Sequence, residues 1–166
     1  MFDRIRRKSM EKVIEENLDY LVRFAYFRVG NRAEAEDLVY EAVLRLLERD
    51  STKIKPEGVR LYLFRIVHNL CLDKSRDKGR VTIPLDSIDI ADCDDSPLDL
   101  EEADRINACL ENLPPREADI IRMSVIDSLS FVEISSILSI PQSTAKSRYK
   151  SGMDKLRKQF TNDNLS

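Results

Sequence analysis

Apolar residues recur every three to four positions along most of this chain, which is the spacing of amphipathic α-helices and not of strands. The first such stripe covers residues 13–29 and is predicted to end at Gly30. A second helix is expected after Asn31, whose side chain can cap it. A third is predicted after the polar stretch 49–58, from about Val59 to about residue 78. The residues predicted to face inward from the second helix are Ala35, Leu38, Val39, Ala42, Val43, Leu46 and Leu47.

The apolar period is lost between residues 79 and 96 and returns in the last third of the chain. The Ser96-Pro97 step is typical of a helix start, and Leu113-Pro114-Pro115 is predicted to end that helix. Three shorter helices are predicted at 115–127, 130–138 and 142–160. The expected fold class is therefore all-α, with two small helical domains joined by a flexible acidic linker. The predicted boundaries are 8–80 and 98–160 for the domains, 81–97 for the linker and 161–166 for a tail.

The charge is distributed unevenly around a formal net charge of −3 for the 166 residues. Residues 1–80 hold 18 Lys and Arg against 14 Asp and Glu, whereas residues 81–115 hold 1 against 10. Residues 116–166 are again mildly basic, with 8 against 6. Two basic segments therefore flank a strongly acidic one, and this asymmetry is more informative about partners than the overall charge.

Several classes of protein are not indicated by the sequence. It has no run of eighteen apolar residues and no apolar core of a secretion signal near its start, so a cytoplasmic protein is expected. His68 and Cys71 lie one helical turn apart but lack further ligands, so no metal site and no cofactor are predicted. Because the sequence shows no phosphate-binding loop or nucleophile set, an enzyme is not expected.

Residues 130–158 have the pattern of a helix-turn-helix. A short helix, "SFVEISSIL", is followed by the three-residue turn "SIP" and then by a longer basic helix. Ser130 is predicted to cap the first helix with Glu133 reaching back to it. In the basic helix, one face is predicted to be buried, and it consists of Ala145, Tyr149, Met153, Leu156 and Phe160.

This register places small hydroxyl and cationic side chains on the opposite side of the basic helix. They are Ser143, Lys146, Ser147, Lys150 and Ser151, with Arg148 at the edge. Such a helix can enter a major groove, where its first turns meet base edges and its cations meet phosphates. The alternative is a solvated lysine-rich surface helix, and the short first helix and the tight turn favour DNA recognition.

The blocks that surround this helix resemble the sigma-70 family of RNA polymerase initiation factors, in its small extracytoplasmic-function group. "LPPREADIIRMSVIDSLSFVEISSILSIPQSTAKSRYKSGMDKLRK" resembles the region 4 domain, which binds the −35 promoter element. "NRAEAEDLVYEAVLRLLE" resembles the region 2 helix that docks on core RNA polymerase, and "RLYLFRIVHNLCLDKSR" resembles the helix that follows it at the −10 element. The resemblance extends from about residue 10 to residue 160.

The resemblance implies three sets of contacts and no catalytic residue. The residues expected at the −35 duplex are Ser143, Thr144, Lys146, Ser147, Arg148, Lys150 and Ser151. Those expected at the single-stranded −10 element are Lys53, Lys55, Arg60, Tyr62, Arg65 and Asn69. Those expected at core RNA polymerase are Asp37, Leu38, Tyr40 and Glu41.

The sequence departs from the family pattern at four of its positions. Tyr40 stands where glutamine is usual, and Tyr62 aligns with a tryptophan. Ser139 replaces the glycine of the helix-turn-helix turn, and Ser143 replaces another common glycine. Because a serine with positive φ costs up to about 1 kcal/mol, an adjusted turn is expected at Ser139.

Other partners and functions stay open at this point. The acidic linker either threads into the nucleic-acid channels of polymerase in imitation of RNA, as the resemblance implies, or is a solubilising tether. Members of the family are commonly sequestered by an anti-sigma protein. The alternative functions are a stand-alone helix-turn-helix regulator and a sigma mimic that occupies an anti-sigma protein.

Overall fold

A computed structural model describes residues 1–49, 54–77 and 100–165 of the chain, and every element in them is helical. The pattern of contacts divides the chain into two units, Met1–Cys93 and Asp94–Ser166. This architecture confirms the all-α fold class. The predicted linker at 81–97 and the predicted helix start at Ser96-Pro97 lie outside the described residues. No helix within the described ranges is long and apolar enough to cross a membrane.

The N-terminal unit contains three helices, α1 (Phe2–Val29), α2 (Arg32–Glu48) and α3 (Pro56–Asp77). The boundary between α1 and α2 follows local chemistry. Gly30 adopts left-handed φ of 72° and donates its N–H to the carbonyl oxygen of Tyr26 at 2.7 Å. Asn31 then accepts the N–H of Glu34 on its side-chain oxygen at 3.1 Å, so the predicted N-cap is confirmed.

The core of this unit forms where α1 packs against α2 and α3. Phe24 and Phe64 are fully buried and meet edge to face, with ring centroids 5.2 Å apart. The guanidinium of Arg28 lies 3.4 Å from the centroid of the Phe24 ring and donates to the Phe24 carbonyl oxygen. The side chains that α2 buries in this core are Ala35, Leu38, Val39, Ala42 and Leu46.

The inward stripe of α2 is narrower than the sequence pattern predicts. Leu47 was expected to face inward, but it is 47% exposed, so that prediction is wrong. Its position lies about 100° around the helix from Leu46, because successive residues of an α-helix are rotated by that angle. Leu47 also lies on the opposite side of the helix from Leu38, so it falls outside the face that packs into the core.

The C-terminal unit contains α4 (Leu100–Leu110), α5 (Pro115–Ile121), α6 (Phe131–Leu138) and α7 (Gln142–Leu165). The helix predicted at 115–127 is a short α-helix that continues as a π-helical turn over Arg122–Ile126. Ser130 and Glu133 form the predicted capping box at the start of α6. The core cluster of this unit consists of Leu110, Leu113, Ala118, Ile121 and Leu156.

The turn between α6 and α7 has the predicted three residues, Ser139, Ile140 and Pro141. Ser139 adopts left-handed φ of 55° and ψ of 45°, so the expected adjustment of the turn does not occur. The N–H of Ile140 reaches back to the carbonyl oxygen of Ser135 at 3.0 Å, which closes the end of α6. Ser128 also has φ of 55°, and the sequence pattern did not single it out.

Replacing Ser139 with glycine is expected to stabilise the C-terminal unit. Glycine adopts the left-handed conformation without the steric penalty of a β-carbon, so Ser139→Gly should raise the free energy of unfolding by up to about 1 kcal/mol. Ser136→Gly is the matched control, because it makes the same chemical change inside α6. It should lower the free energy of unfolding by about 0.5 kcal/mol. Urea denaturation followed by circular dichroism measures both, and a loss of stability with Ser139→Gly would contradict the prediction.

Candidate nucleic-acid and protein interfaces

The buried face of α7 begins as the sequence predicts and ends earlier. Ala145 is fully buried and Leu156 is 8% exposed, while Tyr149 and Met153 are half-buried between them. The Tyr149 ring packs edge to face against Phe131 of α6 at 5.4 Å, which holds the two helices of the helix-turn-helix together. Phe160 is 55% exposed, so its predicted place on the buried face is wrong. The core cluster of the unit does not extend beyond Leu156 along α7.

The opposite face of α7 presents a small cationic surface. Ser143, Lys146, Ser147 and Lys150 are exposed on it. Thr144 and Arg148 are half-buried at its edges. Among the residues that the structure describes, no acidic side chain lies within 4 Å of the ammonium groups of Lys146 or Lys150. Both charges are therefore available to a polyanion without the loss of an internal ion pair.

Ser151 was predicted to belong to this exposed face, and its geometry corrects that prediction. Its hydroxyl donates a hydrogen bond to Oε1 of Glu117 on α5 at 2.7 Å. The ammonium of Lys155 reaches both oxygens of the same carboxylate at 3.0 Å. These bonds, the Ser151 hydroxyl first, hold the pKa of Glu117 below its usual value. Ser151 thus joins α7 to α5.

The close approach of α5 and α7 explains this position of Ser151. Gly152 is buried, and a β-carbon built on it would lie 2.6 Å from Cδ1 of Ile121 and 3.3 Å from Cβ of Glu117. A β-carbon there would force the end of the Ile121 side chain to shift, so glycine allows the close approach that brings the neighbouring Ser151 onto the edge of α5. The apolar spacing alone could not reveal this contact, because Glu117 lies 34 residues earlier in the chain.

The residues predicted at a single-stranded nucleic acid separate into two groups on α3. Tyr62, Arg65 and Asn69 follow one another at three and four residues, which places them along one face of the helix. Arg65 and Asn69 are exposed, and Tyr62 is half-buried with the guanidinium of Arg49 5.2 Å from its ring centroid. Lys55 is exposed just before the helix begins.

Arg60 and Lys53 differ from this group. The side chain of Arg60 turns towards α1, where its Nε donates to Oδ1 of Asn17 at 3.1 Å. Its guanidinium also lies 5.2 Å from the centroid of the Phe64 ring. The structure therefore does not bring Arg60 together with Tyr62, Arg65 and Asn69. Lys53 lies outside the described residues.

A third surface lies on α2, where an apolar stripe is exposed. Tyr40 is 73% exposed, Leu44 51% and Leu47 47%, and their spacing of four and three residues places them side by side. The predicted contacts Asp37 and Glu41 are also exposed, and Glu41 pairs with Arg45 at 2.7 Å. Sequence reasoning missed Leu44 and Leu47. Helical spacing could have identified them, because Ala35, Leu38, Val39, Ala42 and Leu46 already fill one side of α2 and leave the other apolar residues on the exposed side.

Leu38 was predicted as a contact on the same surface, and the structure contradicts that prediction. It is 4% exposed, because it packs into the core of the N-terminal unit with Val39 and Ala42. A side chain buried in its own unit cannot contact a partner directly. Leu38 therefore anchors α2 to the core of its own unit. The exposed stripe is formed by Tyr40, Leu44 and Leu47.

Both units match known protein families. The family models for Sigma-70 region 2 and Sigma-70, region 4 match residues 13–81 and 109–158. The ECF RNA polymerase sigma factor SigW of Bacillus subtilis (strain 168) is 32% identical over 163 residues, which cover 89% of this chain and 87% of SigW. The ECF RNA polymerase sigma factor SigE of Mycolicibacterium smegmatis is 30% identical over 162 residues. That alignment covers 93% of this chain but 63% of SigE, so the chain spans less than two thirds of this relative.

A solved structure supports the fold. The sigma factor RpoE of Bartonella quintana, crystallised in complex with the anti-sigma factor NepR, is similar with a TM-score of 0.62. The similarity covers 93% of this chain and 96% of that chain at 20% sequence identity. At that identity the comparison supports the helical architecture.

Removing the Ser151 hydroxyl is expected to destabilise the C-terminal unit. Ser151→Ala leaves a half-buried carboxylate with one donor fewer, so the free energy of unfolding should fall by about 1–2 kcal/mol near neutral pH. The pKa of Glu117 is lowered in the folded protein, so its stabilising contribution is present above the ordinary carboxyl pKa and is lost as the pH falls through the lowered one. The difference between the variant and the unmodified protein should therefore shrink in acid.

Ser147→Ala is the matched control, since Ser147 is exposed one turn earlier on the same helix. It should change stability by less than about 0.5 kcal/mol at any pH. Urea denaturation near neutral pH and in acid measures both variants. Equal effects of the two substitutions would show that the Ser151 hydroxyl does not stabilise the packing of α5 and α7.

Proposed function

The chain belongs to the extracytoplasmic-function group of the sigma-70 family of RNA polymerase sigma factors, and on this premise we propose how its two units divide promoter recognition. The N-terminal unit binds core RNA polymerase and the separated −10 strand, and the C-terminal unit binds the −35 duplex. The predicted division of the chain at 8–80, 81–97 and 98–160 is part of this proposal.

The cationic face of α7 supports the role at the −35 duplex. α6 and α7 form a helix-turn-helix, in which the second helix enters the major groove with its N-terminal turns foremost. Lys146, Ser147 and Lys150 are exposed in those turns, so hydroxyl and ammonium donors can face base edges and phosphates together. Ser143, Thr144 and Arg148 lie beside them and contact the DNA backbone in this proposal. Ser151 is left out, because its hydroxyl is bonded to Glu117.

The exposed side of α3 supports the role at the −10 element. Tyr62 offers a partly exposed ring on which a base can stack, and Arg65 and Asn69 follow it with a cation and an amide. Lys55 adds a charge at the start of the helix. In this proposal Arg60 holds α3 against α1 through its hydrogen bond to Asn17 and so positions the surface. Lys53 stays a prediction from the sequence.

The apolar stripe on α2 carries the proposal of a polymerase subunit. A regulator that binds DNA as a monomer needs no exposed row of Tyr40, Leu44 and Leu47, whereas a subunit that docks on a larger protein does. Asp37 and Glu41 form a charged rim around that row, as is usual for protein interfaces. An anti-sigma protein that covered the same row would keep the chain away from polymerase.

The proposed role is one of binding without catalysis. Transcription initiation needs the chain to hold polymerase, to recognise duplex DNA at one site and to trap single strands at another. The bond-forming chemistry belongs to core polymerase, so no cofactor is required of this chain. A subunit that works on the chromosome together with polymerase acts in the cytoplasm.

Run-off transcription tests the role of α7. The holoenzyme is reconstituted with purified core polymerase, and a promoter is selected from a randomised duplex library. Lys146→Ala combined with Lys150→Ala should abolish promoter-dependent transcript and leave core binding unchanged. Because two phosphate contacts are removed, the slope of log affinity for the −35 duplex against log salt should become less steep by about 1.8.

The matched control for this pair is Arg157→Ala combined with Lys158→Ala, which removes two exposed cations from the end of the same helix. It should leave transcript and salt slope nearly unchanged. If the unmodified protein never co-elutes with core polymerase and still binds its duplex alone, the chain is a stand-alone regulator. If it binds an anti-sigma protein but gives no transcript from any selected promoter, it is a sigma mimic.

A single substitution on α2 tests the polymerase contact. Leu44→Asp places a charge in the centre of the apolar stripe, so affinity for core polymerase should fall at least about tenfold. Leu72→Asp makes the same change at a leucine of α3 that is 43% exposed, and it should leave core affinity within about twofold. Fluorescence anisotropy of the labelled chain titrated with core polymerase measures both. Equal losses would contradict the assignment of this stripe.

A further inference from the structure

The first turns of α1 form a basic arm that the region 2 family model does not include. That model begins at residue 13, whereas α1 begins at Phe2. Residues 2–12, here called the N-terminal arm, contain five Lys and Arg against two Asp and Glu. The arm continues the same helix that carries Phe24 and the core of the unit, so its position is set by the rest of α1.

The cations of the arm are exposed, and most of them form no ion pair with a described residue. Arg7 pairs loosely with Glu11 at 3.7 Å, and both side chains are more than half exposed. Arg4, Arg6 and Lys8 are exposed as well. Among the side chains that the structure describes, no acidic group lies within 4 Å of these three. A polyanion could therefore bind them without breaking an ion pair inside the protein.

The arm lies beside the start of α3, where the proposed −10 surface begins. Phe2, Ile5, Arg6 and Ser9 share one face of α1 and line an open cleft of about 420 Å³ with Pro56, the first residue of α3. Lys55, a proposed −10 contact, precedes Pro56 directly. The arm thus lies at the same end of α3 as Lys55, a residue of the surface proposed to hold the separated strand.

From this placement we infer that the N-terminal arm binds the phosphate backbone of promoter DNA next to the −10 element. The inference rests on the proposed function, since it extends the same DNA surface. Nucleic acid is favoured over a lipid surface because the arm exposes only two large apolar side chains among its described residues, Phe2 and Ile5. A helix that lies in a membrane needs a continuous apolar face along its length, whereas phosphate contacts need only closely spaced cations.

The test uses the full chain in a holoenzyme with core polymerase, and a fork-junction DNA with a single-stranded −10 element and no −35 element. This DNA leaves α7 out of the measurement. Arg6→Gln combined with Lys8→Gln should make the slope of log affinity against log salt less steep by about 1.4–1.8. Between 50 and 200 mM salt, the unmodified holoenzyme should lose about 7- to 12-fold more affinity than this variant.

Arg157→Gln combined with Lys158→Gln removes the same charge from the C-terminal unit and should leave the slope unchanged. If the unmodified holoenzyme binds the fork and gives transcript but the arm variant keeps the full slope, the inference is wrong and the proposed function stands. If the unmodified holoenzyme neither binds the fork nor gives promoter-dependent transcript, the proposed function fails, and the inference fails with it.

A lipid control separates the remaining alternative. The unmodified chain and the arm variant are each mixed with vesicles of phosphatidylcholine and anionic phosphatidylglycerol, and sedimentation measures the bound fraction. Because exposed cations attract anionic lipid whatever their role, the inference expects the arm variant to lose vesicle binding only together with part of its salt slope on the fork. A loss of vesicle binding in the arm variant, together with an unchanged salt slope on the fork, would overturn the inference in favour of a membrane contact.

Discussion

The close approach of α5 and α7 determines which side chains of α7 are exposed on the surface proposed to meet DNA. Gly152 approaches Ile121 closely because it has no β-carbon, and this contact, together with the burial of Ala145 and Leu156, sets the rotation of α7 about its own axis. Ser151 is then held by Glu117, and Lys155 secures the same carboxylate. With that rotation fixed, Lys146, Ser147 and Lys150 point away from the unit. A rotation of one residue position would turn about 100° and bury a lysine instead.

In the N-terminal unit, buried apolar side chains fix the rotation of α2 in the same way. Leu38 and Leu46 are almost fully buried, so α2 cannot rotate without exposing a core residue. Tyr40, Leu44 and Leu47 are consequently held in a row on the outside. The stability of the core thus positions the interface, although no interface residue contributes much to the core. Leu38 is one of these core residues: it holds α2 in place and does not itself belong to the exposed stripe.

Local features of this fold could be predicted from the sequence, and contacts between distant residues could not. Gly30 and Asn31 end one helix and start the next through bonds that span three or four residues. The capping box of Ser130 is equally local. Ser151 and Arg60 are different, because their partners Glu117 and Asn17 lie 34 and 43 residues away. Apolar spacing identifies the buried side of a helix. It does not show whether a polar side chain at the edge of that side turns towards a neighbouring helix or towards solvent.

The cationic face of α7 and the apolar stripe of α2 respond differently to salt. This difference suits the proposed subunit, which stays on polymerase while its DNA contacts change. Contacts between exposed cations and phosphates weaken steeply as salt rises, because bound counterions are released when DNA binds. Burial of Tyr40, Leu44 and Leu47 against a protein depends on apolar area, which salt does not screen. In the proposed function, the chain can therefore stay bound to core polymerase while salt weakens its contacts with DNA. The apolar stripe lies on α2 and the cationic face on α7. Substitutions in one surface therefore need not disturb the core that supports the other.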